Sequence, residues 1–244
     1  MDITGFPLNC FIYGICAEAS FRGMIQSGPE LVLHLRGEEP GSVFLVATLF
    51  AFNTFAFLNM AMFLPVQNLL EHDCVSLNKA ALFTWHVFMI IFDGFVMFKS
   101  YVCVRKNFYY KIICILAFLY RVGLGIADLT VTGGVWNPVN KTCDYETNGL
   151  VGFHYTIADI ICDVFATVAA VIMLIQNMAG LTSAASVFKE VMSENVFRSV
   201  FVLVVNAIIL YFFLYPNNLD LVYSAWGMQN YVYICLMNME LSYS

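Results

Sequence analysis

Four ionisable residues lie deep within long apolar stretches of the chain: Asp93, Arg121, Asp159 and Asp163. His86 and His154 lie in two of the same stretches. Charge in hydrocarbon is costly, so such side chains face a protein interior or a cavity and pair with one another. Asp159 and Asp163 are four apart and share one helix face, and His86 and Asp93 are seven apart and do the same. Two kinds of chemistry fit the set. In the first, Arg121 anchors an anionic ligand group or one carboxylate, and a carboxylate left without a cation carries a proton. In the second, Arg121 forms a buried salt bridge with Asp159 or Asp93 that fixes helix packing. Metal chemistry fits poorly, because zinc sites want clustered histidines and only His86 and His154 stand in the apolar stretches. No nucleophile elbow, phosphate-binding loop or zinc-protease motif is present. The chain therefore reads as a non-enzyme without catalytic residues, metal or cofactor.

Holding these residues at depth requires membrane-spanning helices. The 244 residues are 61% hydrophobic and 11% charged, with mean hydropathy +0.78. Soluble domains carry about 25% charged residues, and an apolar excess of this size would leave large exposed patches in water. The sequence predicts an all-α polytopic bundle forming a single transmembrane domain over residues 1–244. Six clear spans are expected at Ser42–Leu64, Ala80–Val104, Phe108–Val131, Leu150–Ile175, Val196–Tyr215 and Leu219–Met239. A shorter apolar segment, Phe6–Phe21, is expected to be a short or truncated seventh span, or an interfacial helix. All six prolines fall outside the six clear spans, as helix interiors demand. At about 1.5 Å per residue, Arg121 lies roughly 15 Å from the end of its span. Asn53, Asn206, Gln229 and Asn230 lie at similar depth and are expected to hydrogen-bond between helices. Gly123-x-x-x-Ala127 and Ala166-x-x-x-Ala170 are spacings that allow close helix approach.

Charge distribution orients the bundle. Arg22, Arg36, Lys99, Arg105, Lys106, Lys111, Lys189 and Arg198 fall on one side, and Lys79 and Lys141 on the other. The richer side is expected in the cytoplasm. Asn140-Lys141-Thr142 is a glycosylation sequon in the opposite, outer loop. Of the eight cysteines, Cys74 and Cys143 lie in outer polar segments, where an oxidising compartment favours their pairing. Cys103 and Cys114 flank a basic loop in which palmitoylation is conceivable. Trp136, in the long outer loop, is a candidate cover for a ligand mouth. The expected location is the plasma membrane or a secretory-pathway membrane.

Counting Phe6–Phe21 as the first helix gives seven, with a cysteine at the outer end of the third (Cys74) and another in the second outer loop (Cys143). This plan resembles that of rhodopsin-like G-protein-coupled receptors. Lys99-Ser100-Tyr101-Val102-Cys103-Val104 is similar to the Asp-Arg-Tyr stretch of that family at Tyr101 and the valines, with Lys99-Ser100 in place of the charged pair. The last helix lacks Asn-Pro-x-x-Tyr, and it lacks the lysine that a retinal protein needs. The general texture is also similar to uncharacterised seven-helix integral membrane proteins of fungi. The resemblance implies a receptor-like sensor of a small molecule, with an outer cavity beneath the Cys74–Cys143 loop and a cytoplasmic signalling partner at the basic loop Lys99–Lys111. A proton-coupled or small-solute transporter using Asp93, Asp159 and Asp163 is the alternative, though no inverted repeat or Gly/Pro-broken helix is seen. The expected partners are the lipid bilayer, a small-molecule ligand and that signalling partner. No basic tract points to nucleic acid.

Overall fold

A computed structural model describes residues 5–37, 42–66, 71–104, 106–139, 142–178, 185–214 and 219–242. Among the described residues there are seven α-helices: α1 Gly5–Arg36, α2 Val43–Val66, α3 Glu71–Cys103, α4 Phe108–Val131, α5 Gly149–Met178, α6 Ala185–Leu214 and α7 Leu219–Asn238. A hairpin of β1 Gly133–Asn137 and β2 Thr142–Glu146 joins α4 to α5, and a 3-10 turn, Met239–Ser242, follows α7.

Local chemistry accounts for the boundaries. Asn107 caps α4, its side chain accepting from the amides of Tyr109 and Tyr110 at 2.9 and 3.1 Å. Asn148 does the same for α5 through Leu150 and Val151, both at 3.2 Å. The third helix begins at Glu71 rather than Ala80, because Glu71 and Asp73 in its first turn favour a helix N-terminus. The first helix is longer than the apolar segment Phe6–Phe21 and runs through Pro29 to Arg36. Packing along α2 carries it past a residue that costs an isolated helix about 3 kcal/mol.

Each helix packs on its neighbour in sequence, and α7 returns to α1, so the seven close a ring. Helix α3 also touches α5 and lies inside the ring: 61% of its apolar stretch is buried against 28% for α4. Leu116, Leu119 and Ile126 of α4 are exposed, as a lipid-facing helix requires. The main apolar core joins α1, α2, α3 and α7 through Tyr13, Leu49, Phe52, Phe88, Phe92 and Tyr233. Phe92 stacks on Tyr233 with ring centroids 4.2 Å apart.

Four helices are long and apolar enough to cross a membrane: Val43–Phe63, Glu71–Cys103, Phe108–Val131 and Gly149–Met173. Six clear spans were expected on sequence grounds, and that number is not supported. In the sixth helix the apolar stretch among the described residues is only Val200–Phe212. The first carries Glu18, Arg22, Glu30 and Arg36, and the seventh carries Gln229, Asn230 and Asn238; neither offers, among the described residues, an apolar stretch as long as those of the other four. The small-residue spacings also part company. Ala166 and Ala170 are buried between helices, whereas a Cβ built on Gly123 meets open space, so Gly123 mediates no close approach.

Candidate functional site

The hairpin end of the bundle is built around the N-terminus of α3. Cys74 and Cys143 form a disulfide with Cα atoms 5.5 Å apart, tying β2 to the first turn of α3. Trp136 pairs with Cys143 across the hairpin. Asn78, one turn below Cys74, donates to the Cys74 carbonyl at 2.9 Å and to Cys143 Sγ at 3.0 Å. Lys79 Nζ donates to the carbonyls of Leu129 at 2.5 Å and Thr132 at 2.6 Å, closing the last turn of α4. Asn140 lies outside the described residues, as does Arg105.

Beneath the hairpin, three helices, α3, α4 and α5, bring the ionisable residues together. Arg121 of α4 is wholly buried and pairs through Nε with Asp159 of α5, with Asp93 Oδ2 of α3 at 3.5 Å from the same nitrogen. Its Nη1 lies 3.4 Å from Nδ1 of His86. On the far side of the ring, His86 Nε2 is 2.9 Å from Asp128 Oδ2, and Asp128 Oδ1 accepts from Thr132 Oγ1 at 2.7 Å. An imidazole between a carboxylate and a guanidinium has its tautomer dictated: Nε2 carries the proton toward Asp128, and the Nδ1 lone pair faces Arg121. The guanidinium also lies over Tyr155, its carbon 5.4 Å from the ring centroid. Gly125 makes room for this contact, because a Cβ there would sit 3.3 Å from both Arg121 Nη1 and His86 Nδ1.

One turn below Asp159, Asp163 Oδ2 accepts from Asn206 Nδ2 at 2.6 Å, and Asn206 Oδ1 accepts from Gln229 at 2.8 Å and Tyr233 at 2.9 Å. A polar line therefore runs from Thr132 at the hairpin, through the guanidinium, to α6 and α7. Two atoms in it, Asp93 Oδ2 and Arg121 Nη2, are buried without a hydrogen-bond partner among the described residues. Asp93, Arg121, Asp159, Asp163 and His86 thus meet in one cluster. His154 does not join it; its half-buried ring packs near Phe153 at 5.8 Å. The amides expected to bond between helices do so: besides Asn206 and Gln229, Asn53 donates to Asn238 at 2.8 Å and Asn230 accepts from Trp85 Nε1 at 3.2 Å. No group of three potential metal ligands occurs among the described residues.

Between the cluster and the hairpin lies a partly open cavity of about 50 Å³, lined by residues of α1, α2, α3, α5, α7 and β2. Trp85 and Tyr155 form its floor, their rings 5.4 Å apart and each about 5 Å from the His86 ring, at 4.9 and 5.5 Å. Trp136 is not among its lining residues. Burial pushes the Tyr145 phenol at its rim far above the usual tyrosine range, helped by the nearby Asp128 carboxylate.

The opposite, basic end has a cluster of its own. Glu240, in the 3-10 turn, accepts both its 2.8 Å bonds from Lys99 Nζ of α3 and is paired with Arg198 of α6. Sequence reasoning missed this cluster, since Glu240 lies 141 residues from Lys99 and beyond the last expected span. It also left Asp128, Tyr155 and Trp85 out of the site. For Asp128 a signal existed in the seven-residue spacing from Arg121, and for Tyr155 in the four-residue spacing from Asp159. The sequence matches no protein-family model and no curated protein.

Proposed function

We propose that this chain is a receptor-like membrane sensor of a small molecule that enters from the hairpin side. One observation carries the reading. The cavity beneath the disulfide-tied hairpin shares its floor, Trp85 and Tyr155, with the charged cluster, so an occupant would press directly on the rings that pack against His86 and Arg121. Successive helices alternate in direction around the ring. In this reading α1, α6 and α7 cross the bilayer with the four more apolar helices, giving seven spans. The excess of Lys and Arg at the end opposite the hairpin supports a cytoplasmic basic end and an external hairpin. The basic segment Lys99–Lys111 then faces a cytoplasmic signalling partner, and the membrane is the plasma membrane or one of the secretory pathway. Asn140 would be glycosylated on the outer face.

A second reading, a proton-coupled carrier, is favoured by one feature: Asp93, Asp159 and Asp163 are all buried, yet Arg121 is the one cation described in their cluster. Carboxylates in such excess over cation hold a proton.

The test is a compound screen on the full chain in lipid nanodiscs, read by thermal stability and indole fluorescence. The expected result is saturable stabilisation by some compound, abolished by Ala81→Phe, which fills the cavity from α3. A screen without any stabiliser, or stabilisation untouched by Ala81→Phe, would refute the sensor reading. Solute-driven acidification inside proteoliposomes would favour the carrier.

A further inference from the structure

The cavity has a composition that selects among ligand chemistries. Among the described residues, no charged side chain lines it. Its polar groups are three side-chain amides, the phenols of Tyr13, Tyr145 and Tyr155, and the indole N–H groups of Trp85 and Trp226, set among aromatic rings. Each amide has one half committed. Asn59 Nδ2 donates to the Ala81 carbonyl at 2.6 Å, and Asn78 Nδ2 donates to the Cys74 carbonyl and Cys143 Sγ. Asn230 Oδ1 accepts from Trp85 Nε1. The uncommitted halves are therefore two carbonyl oxygens, Asn59 Oδ1 and Asn78 Oδ1, and one NH₂ group, Asn230 Nδ2. Each amide is turned so that this half remains. Tyr145, held neutral by its burial, adds a hydroxyl that both donates and accepts.

We infer that the cavity binds an uncharged head group that donates and accepts hydrogen bonds at once, a carboxamide or lactam, carried on an aromatic or apolar body. This rests on the reading of the cavity as a ligand site. The carbonyl of such a head accepts from Asn230 Nδ2; the two N–H groups of a carboxamide donate to Asn59 Oδ1 and Asn78 Oδ1, and the single N–H of a lactam to one of them. A carboxylate would bring a charge against two acceptor oxygens. An ammonium would satisfy those oxygens but leave Asn230 Nδ2 without an acceptor, and would shed its hydration with no anion to receive it. Size sets the partition. A cavity of about 50 Å³ admits a few heavy atoms and not a benzene ring, since a cavity known to hold benzene measures about 150 Å³. The head group thus enters the cavity, and the body lies in the mouth among Tyr13, Phe63 and Trp226.

The experiment compares benzamide, benzoate and benzylamine at matched ionic strength and a pH that keeps the latter two charged. Binding to the nanodisc-embedded chain is read by thermal shift and quenching of indole fluorescence. Benzamide is expected to bind, and each charged analogue to bind at least about tenfold more weakly, one lost charged or buried hydrogen bond being worth roughly that factor. Asn230→Asp keeps the acceptor for Trp85 but replaces the donor with a carboxylate. It should weaken benzamide about tenfold and strengthen benzylamine. Tighter binding of benzoate or benzylamine to the unmodified chain would overturn the inference while leaving the cavity a ligand site. Failure of all three, or benzamide binding unchanged in Asn230→Asp, would also overturn it. Only failure of the wider screen, or its indifference to Ala81→Phe, strikes the sensor reading itself.

Discussion

Removing Arg121 tests whether the charged cluster holds the bundle together. Arg121 is wholly buried, with Asp159 on its Nε, Asp93 at 3.5 Å from the same atom and Tyr155 beneath its face. Arg121→Ala deletes the described cation and leaves both carboxylates behind, buried and without a counter-charge. Breaking a buried pair in this way costs about 3–5 kcal/mol. At about 2–4 °C per kcal/mol for a chain of this size, the midpoint should fall by roughly 6–20 °C. Arg121→Lys should fall between, because an ammonium keeps the charge but cannot address Asp159 and His86 through separate nitrogens. The double change Arg121→Met, Asp159→Leu removes a charge of each sign and should recover at least half of the loss. The chain carries its own reporter: Cys16, Cys114 and Cys162 are buried free thiols, so a thiol-reactive fluorophore reads unfolding in nanodiscs. If all three variants melt within about 0.5 kcal/mol of the unmodified chain, as surface substitutions do, the cluster is not a structural salt bridge.

Four further outcomes are expected. Cys74→Ser should lower stability by about 4 kcal/mol, the chain-entropy value for a bridge closing a loop of 69 residues, and reductant should lower the unmodified chain to the same midpoint. Glu240→Gln removes the carboxylate shared by Lys99 and Arg198 and should cost about 3 kcal/mol, measured by the same thermal assay, with greater thiol reactivity at half-buried Cys103. Because Tyr145 stays neutral when folded but ionises near pH 10 when unfolded, stability should fall as pH rises above about 10, and less steeply in Tyr145→Phe, by pH-dependent denaturation. Glycosylation mapping should find Asn140 modified and a sequon engineered beside Arg105 unmodified; the reverse pattern inverts the orientation.

The sequence made the midplane cluster legible because hydrocarbon leaves buried charge few options. Arg121, Asp93, Asp159 and Asp163 were marked by depth alone, and consecutive short-looped helices had to be neighbours. The Cys74–Cys143 bridge was legible because these were the cysteines in outer polar segments. What escaped was whatever depended on side-chain direction. His154 has the same composition signal as His86, but its helix turns it toward Phe153 rather than toward Arg121. Gly123-x-x-x-Ala127 had the spacing of an interface, yet Gly123 faces open space, because periodicity gives a face and not the identity of what covers it. Span counting erred because the expected bounds of the last two spans took in more chain than is continuously apolar: in the sixth helix the apolar stretch among the described residues is only Val200–Phe212. The cluster at Glu240 was invisible because it joins the end of the chain to α3 and α6, and no local pattern records that.

Helix α3 links the hairpin, the cavity, the charged cluster and the basic end, and helical spacing explains how. Cys74 holds the hairpin, Asn78 stands one turn further on, and Trp85 two turns beyond it, so the last two reach the same cavity. His86 and Asp93 are also two turns apart, and both reach the guanidinium of Arg121. Lys99 then meets Glu240 at the basic end. A central helix with few exposed faces cannot turn or slide at one of these points alone, because packed interiors shift between discrete arrangements and do not deform continuously. Displacement of Trp85 by an occupant would move the adjacent His86, and with it one of the partners that hold Arg121 Nη1. At the far end the same helix carries one of the two cations on Glu240, the other belonging to α6. Coupling between the two ends therefore has a physical route: the relation of α3 to α6, read at Glu240, should differ between the empty and the occupied chain. Distances between spin labels on α3 and α6 at the basic end, measured with and without a cavity ligand, decide the matter. An unchanged distance distribution under saturating ligand would break the link.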